Sequence, residues 1–147
     1  MTNTYSQLYW DDLTEGQDVS PITLPATYSM VLLSAIATMD FFPGHHDPEY
    51  ARGQGQEGIY VNTMTYQGLV DRVVTDWAGP QTFIARRKIT MQRPVYAGDT
   101  IIGSGKVTRL HLDGDGRGLA DLKIDISNQN GLCCPATVTA ALPRRVS

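Results

Sequence analysis

Thr63-Met64-Thr65-Tyr66-Gln67-Gly68-Leu69-Val70-Asp71-Arg72-Val73-Val74-Thr75-Asp76-Trp77-Ala78-Gly79-Pro80 is the stretch that decides the fold. Leu69, Val70, Val73, Val74 and Trp77 recur at steps of three and four, the period of one helix face. Asp71, Arg72, Thr75 and Asp76 fill the other side, and Ala78-Gly79-Pro80 stops the pattern. The spacing predicts one helix over Thr63–Trp77. Asp71 and Asp76 read as its solvated face. Gly68 costs about 1 kcal/mol relative to Ala inside a helix, which close packing against a strand would explain.

On the far side of this helix the period changes to β. Phe83–Val95, Thr100–His111, Leu119–Ile126 and Leu132–Leu142 read as strands. Gly98-Asp99, Asp113-Gly114-Asp115-Gly116 and Asn128-Gln129-Asn130-Gly131 are turns between them. On the near side, Val19–Tyr28 carries Pro21 and Pro25 and reads as an edge strand or extended arm. Met30–Met39 is apolar nearly all round and reads as a short buried helix. Helices first and consecutive antiparallel strands afterwards give an α+β class, with the sheet curled around the one long helix. Such a sheet leaves an edge open, and a second subunit can cover it.

The chain has 147 residues, 41% of them apolar and 18% charged. That is the size and composition of one globular domain, 1–147, with residues 1–12 as a lead-in arm anchored by Trp10 and Leu13. The net charge of −3 gives no reason to expect nucleic acid or an anionic membrane as partner. The basic clusters Arg86-Arg87-Lys88 and Arg144-Arg145 read as solvated faces. No apolar run has the length of a bilayer span, and Met1–Asp12 lacks the features of a signal peptide. Cys133 and Cys134 are adjacent, point to opposite faces of a strand and make an intrachain disulfide unexpected. Reduced thiols suit the cytoplasm.

The chemistry concentrates in Met39-Asp40-Phe41-Phe42-Pro43-Gly44-His45-His46-Asp47-Pro48, directly after the apolar run. Its polar groups fall where helical patterning has ended, on a loop held by that helix. Asp40 and His45 are five residues apart, with Pro43 and Gly44 shaping the turn between them. A carboxylate and an imidazole converging on one volume can handle two protons, as adding water across a polarised double bond requires. An aspartate at a helix C-terminus is opposed by the helix dipole, so Asp40 needs another reason to be there. His46 reads as a neighbour facing away or making a structural hydrogen bond. No metal site is expected, because His111 alone accompanies the His45-His46 pair. Asp47 and Pro48 read as the cap and first residue of a short helix.

Three motifs in order resemble the MaoC-like branch of the hot-dog fold, the R-specific enoyl-CoA hydratases and dehydratases. Asp40, Pro43 and His45 keep the spacing of the family loop, although Phe42 stands where Asn is usual. Asp47, Glu49 and Ala51 follow in the family's pattern. Arg93-Pro94-Val95-Tyr96-Ala97-Gly98-Asp99-Thr100 matches its strand-to-turn signature, and Asn128-Gln129-Asn130-Gly131 its last hairpin. His45-His46-Asp47, Val61-Asn62 and Val74-Thr75-Asp76-Trp77-Ala78-Gly79-Pro80 are similar, more narrowly, to small subunits of heteromeric steroid side-chain enoyl-CoA hydratases. The resemblance implies a hot-dog fold and hydration of trans-2-enoyl-CoA to 3-hydroxyacyl-CoA. It implies Asp40 and His45 as catalytic residues and a backbone N–H at Asn62 or Thr63 as the group binding the substrate's thioester oxygen. It also implies coenzyme A as part of the substrate rather than a cofactor, and a homodimer or a heteromer with a second MaoC-like chain. A hot-dog acyl-CoA thioesterase and a non-catalytic partner subunit are the competing expectations.

Overall fold

The computed structural model describes residues 6–145; residues 1–5 of the expected arm and residues 146–147 lie outside the described residues. The elements run β1 (Asp18–Pro25), α1 (Tyr28–Ala37), α2 (Pro48–Gly53), α3 (Thr63–Ala78), β2 (Phe83–Ile89), β3 (Thr100–Leu112), β4 (Gly118–Asn128) and β5 (Gly131–Leu142). They form one antiparallel sheet in the order β1-β3-β4-β5-β2, with β1 and β2 at its edges. The edge-strand expectation for the first strand and the β3-β4-β5 meander both hold.

α3 lies against the sheet's inner face as the 3.6-residue spacing requires. Val70, Val73 and Val74 are buried with Ala120, Leu122, Ile124 and Ile126, the inward-facing alternate residues of β4. The helix stops at Gly79, whose φ of 101° is open to glycine and whose N–H bonds the Thr75 carbonyl. The close approach between helix and sheet is made by Gly103 on β3, where an added Cβ would lie 2.4 Å from a Val73 methyl. Gly68 does not supply it: it is exposed, and nothing lies within 4 Å of the place its Cβ would take.

Two other expectations are corrected. α1 is not a buried helix, since only Val31 and Ala35 are covered, while Leu33 and Ile36 are 59% and 50% exposed. Apolar composition reports that a surface needs cover, and this chain covers one stripe of it. The segment 83–95 is not one strand. β2 ends at Ile89, and Thr90 and Gln92 continue irregular bonds to Pro135 and Cys133. Pro94, having no N–H, turns the chain away, so Val95 accepts from the Val61 amide instead. Arg144 and Arg145 are exposed, as a solvated face requires, and they are also ion-paired. They bind Asp11 and Asp12 and lie over the rings of Trp10 and Tyr9.

That clamp fixes the lead-in arm. The Trp10 indole N–H donates to the Leu119 carbonyl at 2.9 Å, its ring fills the space left at Gly118, and Leu13 is buried. On α3, Asp76 pairs with Arg72, as a solvated helix face allows. Asp71 departs from that reading: it is ion-paired with Arg87 of β2, whose guanidinium also donates to Gln67.

Candidate active site

The end of α1 aims the loop. Met39 adopts φ 56°, the left-handed region that glycine normally occupies. Its N–H bonds the Ile36 carbonyl, and the Asp40 N–H reaches back to Ala35. This pair of bonds is a Schellman motif, with methionine at the strained position. The chain then leaves α1 abruptly, and Asp40 projects clear of the helix.

From Phe42 the chain makes a 3-10 turn over Pro43–His45, with the His46 and Asp47 amides both bonded to the Pro43 carbonyl. This turn brings His45 back over Asp40, leaving Asp40 Oδ2 at 3.4 Å from His45 Nε2. His45 Nδ1 lies 2.8 Å from the Tyr60 carbonyl oxygen. A carbonyl only accepts, so Nδ1 carries the proton and Nε2 is left with its lone pair towards Asp40. His45 is buried, with the rings of Phe42 and Tyr60 edge-on to it. Gly44 makes the fit possible, because a Cβ there would lie 2.6 Å from the Tyr60 hydroxyl and 2.8 Å from the Phe42 ring. Burial holds the Tyr60 phenol above its ordinary pKa, and so protonated. His46 faces away, at 3.1 Å from the Phe41 carbonyl, as a structural hydrogen bond predicts. Asp47 caps α2 through the Glu49 and Tyr50 amides, with Pro48 first in the helix.

The other wall is the start of α3. The side chain of Asn62 is engaged at both ends: Oδ1 accepts from the Thr65 amide and hydroxyl, and Nδ2 donates to the Thr38 hydroxyl at 2.7 Å. It therefore ties the end of α1 to the start of α3 and is a positioning residue by this geometry. The amides of Thr63 and Met64 in the first turn have no intrahelical acceptor, and the helix dipole makes them a favourable place for negative charge. A cleft of about 410 Å³ brings together His45, Tyr60, Asn62, Thr63 and Met91. Neither Asp71 nor Asp76 lines it.

The two downstream motifs form one network, buried at Asp99 and Asn128 and reaching the cleft at Arg93 and Tyr66. Asp99 Oδ2 accepts from the Tyr96 amide and Asn128 Nδ2, and Oδ1 accepts from Gln129 Nε2 at 2.6 Å. Arg93 donates to the Asn130 carbonyl, and Tyr66 of α3 donates to the Arg93 carbonyl. These residues hold the segment that forms the cleft's rim. Sequence reading missed Tyr60 and Thr38, which orient His45 and Asn62; a lone tyrosine and a lone threonine carry no spacing signal. No cluster of His, Cys, Asp and Glu among the described residues is arranged to hold a metal ion. The arrangement offers a proton acceptor on one side of a cleft and unpaired amides on the other, with the Asp40 carboxylate against the acceptor but outside the cleft's lining.

The MaoC like domain family matches residues 13–120. The β subunit of a 3-oxo-4,17-pregnadiene-20-carboxyl-CoA hydratase from Mycobacterium tuberculosis is 39% identical over 114 residues, covering 78% of this chain and 84% of the relative. A chain of the ChsH1–ChsH2 complex from the same organism superposes with a TM-score of 0.81 at 36% identity, over 88% of this chain and 98% of the other. An (R)-hydratase from A. caviae involved in PHA biosynthesis superposes with a TM-score of 0.79 at 25% identity, over 90% and 98%.

Proposed function

The chain belongs to the MaoC-like domain family, and from that premise we propose that it hydrates a trans-2-enoyl-CoA thioester to the 3-hydroxyacyl-CoA, reversibly. The observation that carries the reading is the Asp40–His45 contact at 3.4 Å beside the open end of α3. His45 Nε2 takes a proton from water as the water oxygen attacks the β-carbon. Negative charge moves to the thioester oxygen, opposite the amides at Thr63, and Asn62 holds that helix end in place. Asp40 orients the water, receives that proton from His45 across their contact and delivers it to the α-carbon, which leaves the pair as it began. Coenzyme A enters as part of the substrate, and the reaction needs no cofactor.

The mycobacterial relative is named as a β subunit. We infer by analogy that this chain works with a second, unlike MaoC-like chain on a steroid side-chain thioester. The exposed apolar surface of α1 supports a partner. The buried free thiols of Cys133 and Cys134 suit the cytoplasm. A thioesterase would call on a helix carboxylate, yet Asp71 and Asp76 are ion-paired away from the cleft.

The test is turnover of a trans-2-enoyl-CoA by the chain with its partner. Asp40→Asn and His45→Ala should each lower kcat by at least about a hundredfold with circular dichroism unaltered. Near-wild-type turnover in either variant would sink the assignment.

A further inference from the structure

The outer face of the sheet, opposite α3, holds a second and larger cavity of about 660 Å³. Register places its side chains in two rows. Lys88 of β2 pairs with Thr137 of β5, which pairs with Lys123 of β4; beside it run Arg86, Thr139 and Asp121. Neighbouring strands lie about 4.8 Å apart, so Lys88 and Lys123 stand on the order of 10 Å apart with a threonine hydroxyl between them.

Three cations meet one carboxylate here, and the carboxylate is already answered. Asp121 accepts from the Thr139 hydroxyl at 2.7 Å and lies 3.3 Å from His111 Nε2. Lys106, next along the Lys88 row, is paired with Asp18. Arg86, Lys88 and Lys123 are exposed and make no ion pair or side-chain hydrogen bond among the described residues. They form a groove with an excess of unpaired positive charge in a chain of net charge −3.

The groove and the catalytic cleft share a boundary. Met91 and Gln92 line the cleft, while Thr90, Lys88 and Arg86 line the groove. β2 is an edge strand of this sheet, so a chain passing over residues 90–92 from one cavity to the other crosses no further strand of this subunit. At strand rise, Lys88 lies about 10 Å from Met91, and Arg86 about 17 Å. The pantetheine arm joining a thioester to the phosphates of coenzyme A has two amide bonds. Its reach is that of roughly four extended residues, about 14 Å.

We propose that Arg86, Lys88 and Lys123 bind the phosphates at the adenosine end of coenzyme A while its thioester sits beside His45. This rests on the hydratase reading and adds to it the place where the substrate's charge is held. The Thr137 hydroxyl supplies a neutral donor between Lys88 and Lys123, and charge-assisted bonds to phosphate are the strong ones.

The experiment compares two substrates of the native complex: an enoyl-CoA and the same enoyl group on N-acetylcysteamine, which carries no phosphate. Arg86→Gln combined with Lys88→Gln should cut the preference for the CoA substrate, read as the ratio of kcat/KM values, by about tenfold or more. Lys123→Gln should lower it in the same direction, and 3′,5′-adenosine bisphosphate should compete with the CoA substrate more strongly than inorganic phosphate does. An unchanged ratio in the double variant overturns the phosphate site and leaves the hydratase reading standing. Wild-type complex that hydrates neither substrate overturns the hydratase reading, and the phosphate site with it. Inorganic phosphate competing as well as the bisphosphate also overturns the proposal, by making the groove a general anion site.

Discussion

Residue 39 carries backbone strain that its neighbour depends on. A left-handed Met39 is disfavoured by on the order of 1 kcal/mol, yet the turn it makes frees Asp40 from the helix. Met39→Gly should stabilise the fold by about 0.5–1 kcal/mol, and Met39→Val should destabilise it, both read from urea midpoints. Gly44 is constrained by space. Gly44→Ala forces a methyl into Tyr60 and Phe42, so it should lower kcat by more than about tenfold through displacement of His45, even where the fold survives. That Asp40 and His45 meet was legible from the sequence, because Pro43 and Gly44 between them turn the chain back on itself. Tyr60 was not, since it acts through a backbone carbonyl that any residue could present at that place.

At the scale of elements, α3 and the meander were legible because one buried face imposes a strict period on each. α1 was misjudged for the complementary reason: apolar residues on every side do not say which molecule covers them. The Phe83–Val95 segment was misjudged because Pro94 ends the pairing that the apolar pattern suggested. The turn network at Asp99 looked like a signature and acts as a brace. Asp99→Ala leaves three donors unanswered, those of the Tyr96 amide, the buried Asn128 and the exposed Gln129, and should cost about 2 kcal/mol in a denaturant melt. Asp76→Ala, on an exposed pair, should cost less than about 1 kcal/mol. The arm has its own pH dependence. The Arg145 backbone N–H holds Asp11 below its ordinary value of 3.8, and the Arg145 side chain does the same for Asp12. A carboxylate whose pKa is lower when folded stabilises the docked state above that ordinary value and ceases to as pH falls through the lowered one. Trp10 fluorescence should therefore report the arm loosening only on acidification below about pH 3.8, and Arg145→Ala should move that loosening upward.

For the whole molecule, the apolar side chains left exposed gather on α1, the loop after it and the cleft's rim. Leu33, Ile36, Met39, Phe41, Met64 and Met91 are each at least half exposed. Light scattering of the isolated chain at micromolar concentration should show self-association, and adding an unlike MaoC-like partner should replace it with a defined complex of higher hydratase activity. A monodisperse monomer turning over at the full rate would refute the proposed partnership. The open edge at β2 has a consequence for the time before assembly. Phe83 and Met91, both more than half exposed, flank the strand, and Arg86, Arg87 and Lys88 occupy its middle. Antiparallel pairing of this strand with its own copy would bring cations near cations, which disfavours the contact. A newly made subunit is thereby kept from stacking on its siblings through this edge, so Arg86 and Lys88, which would grip a substrate in the finished enzyme, also act as gatekeepers during biogenesis.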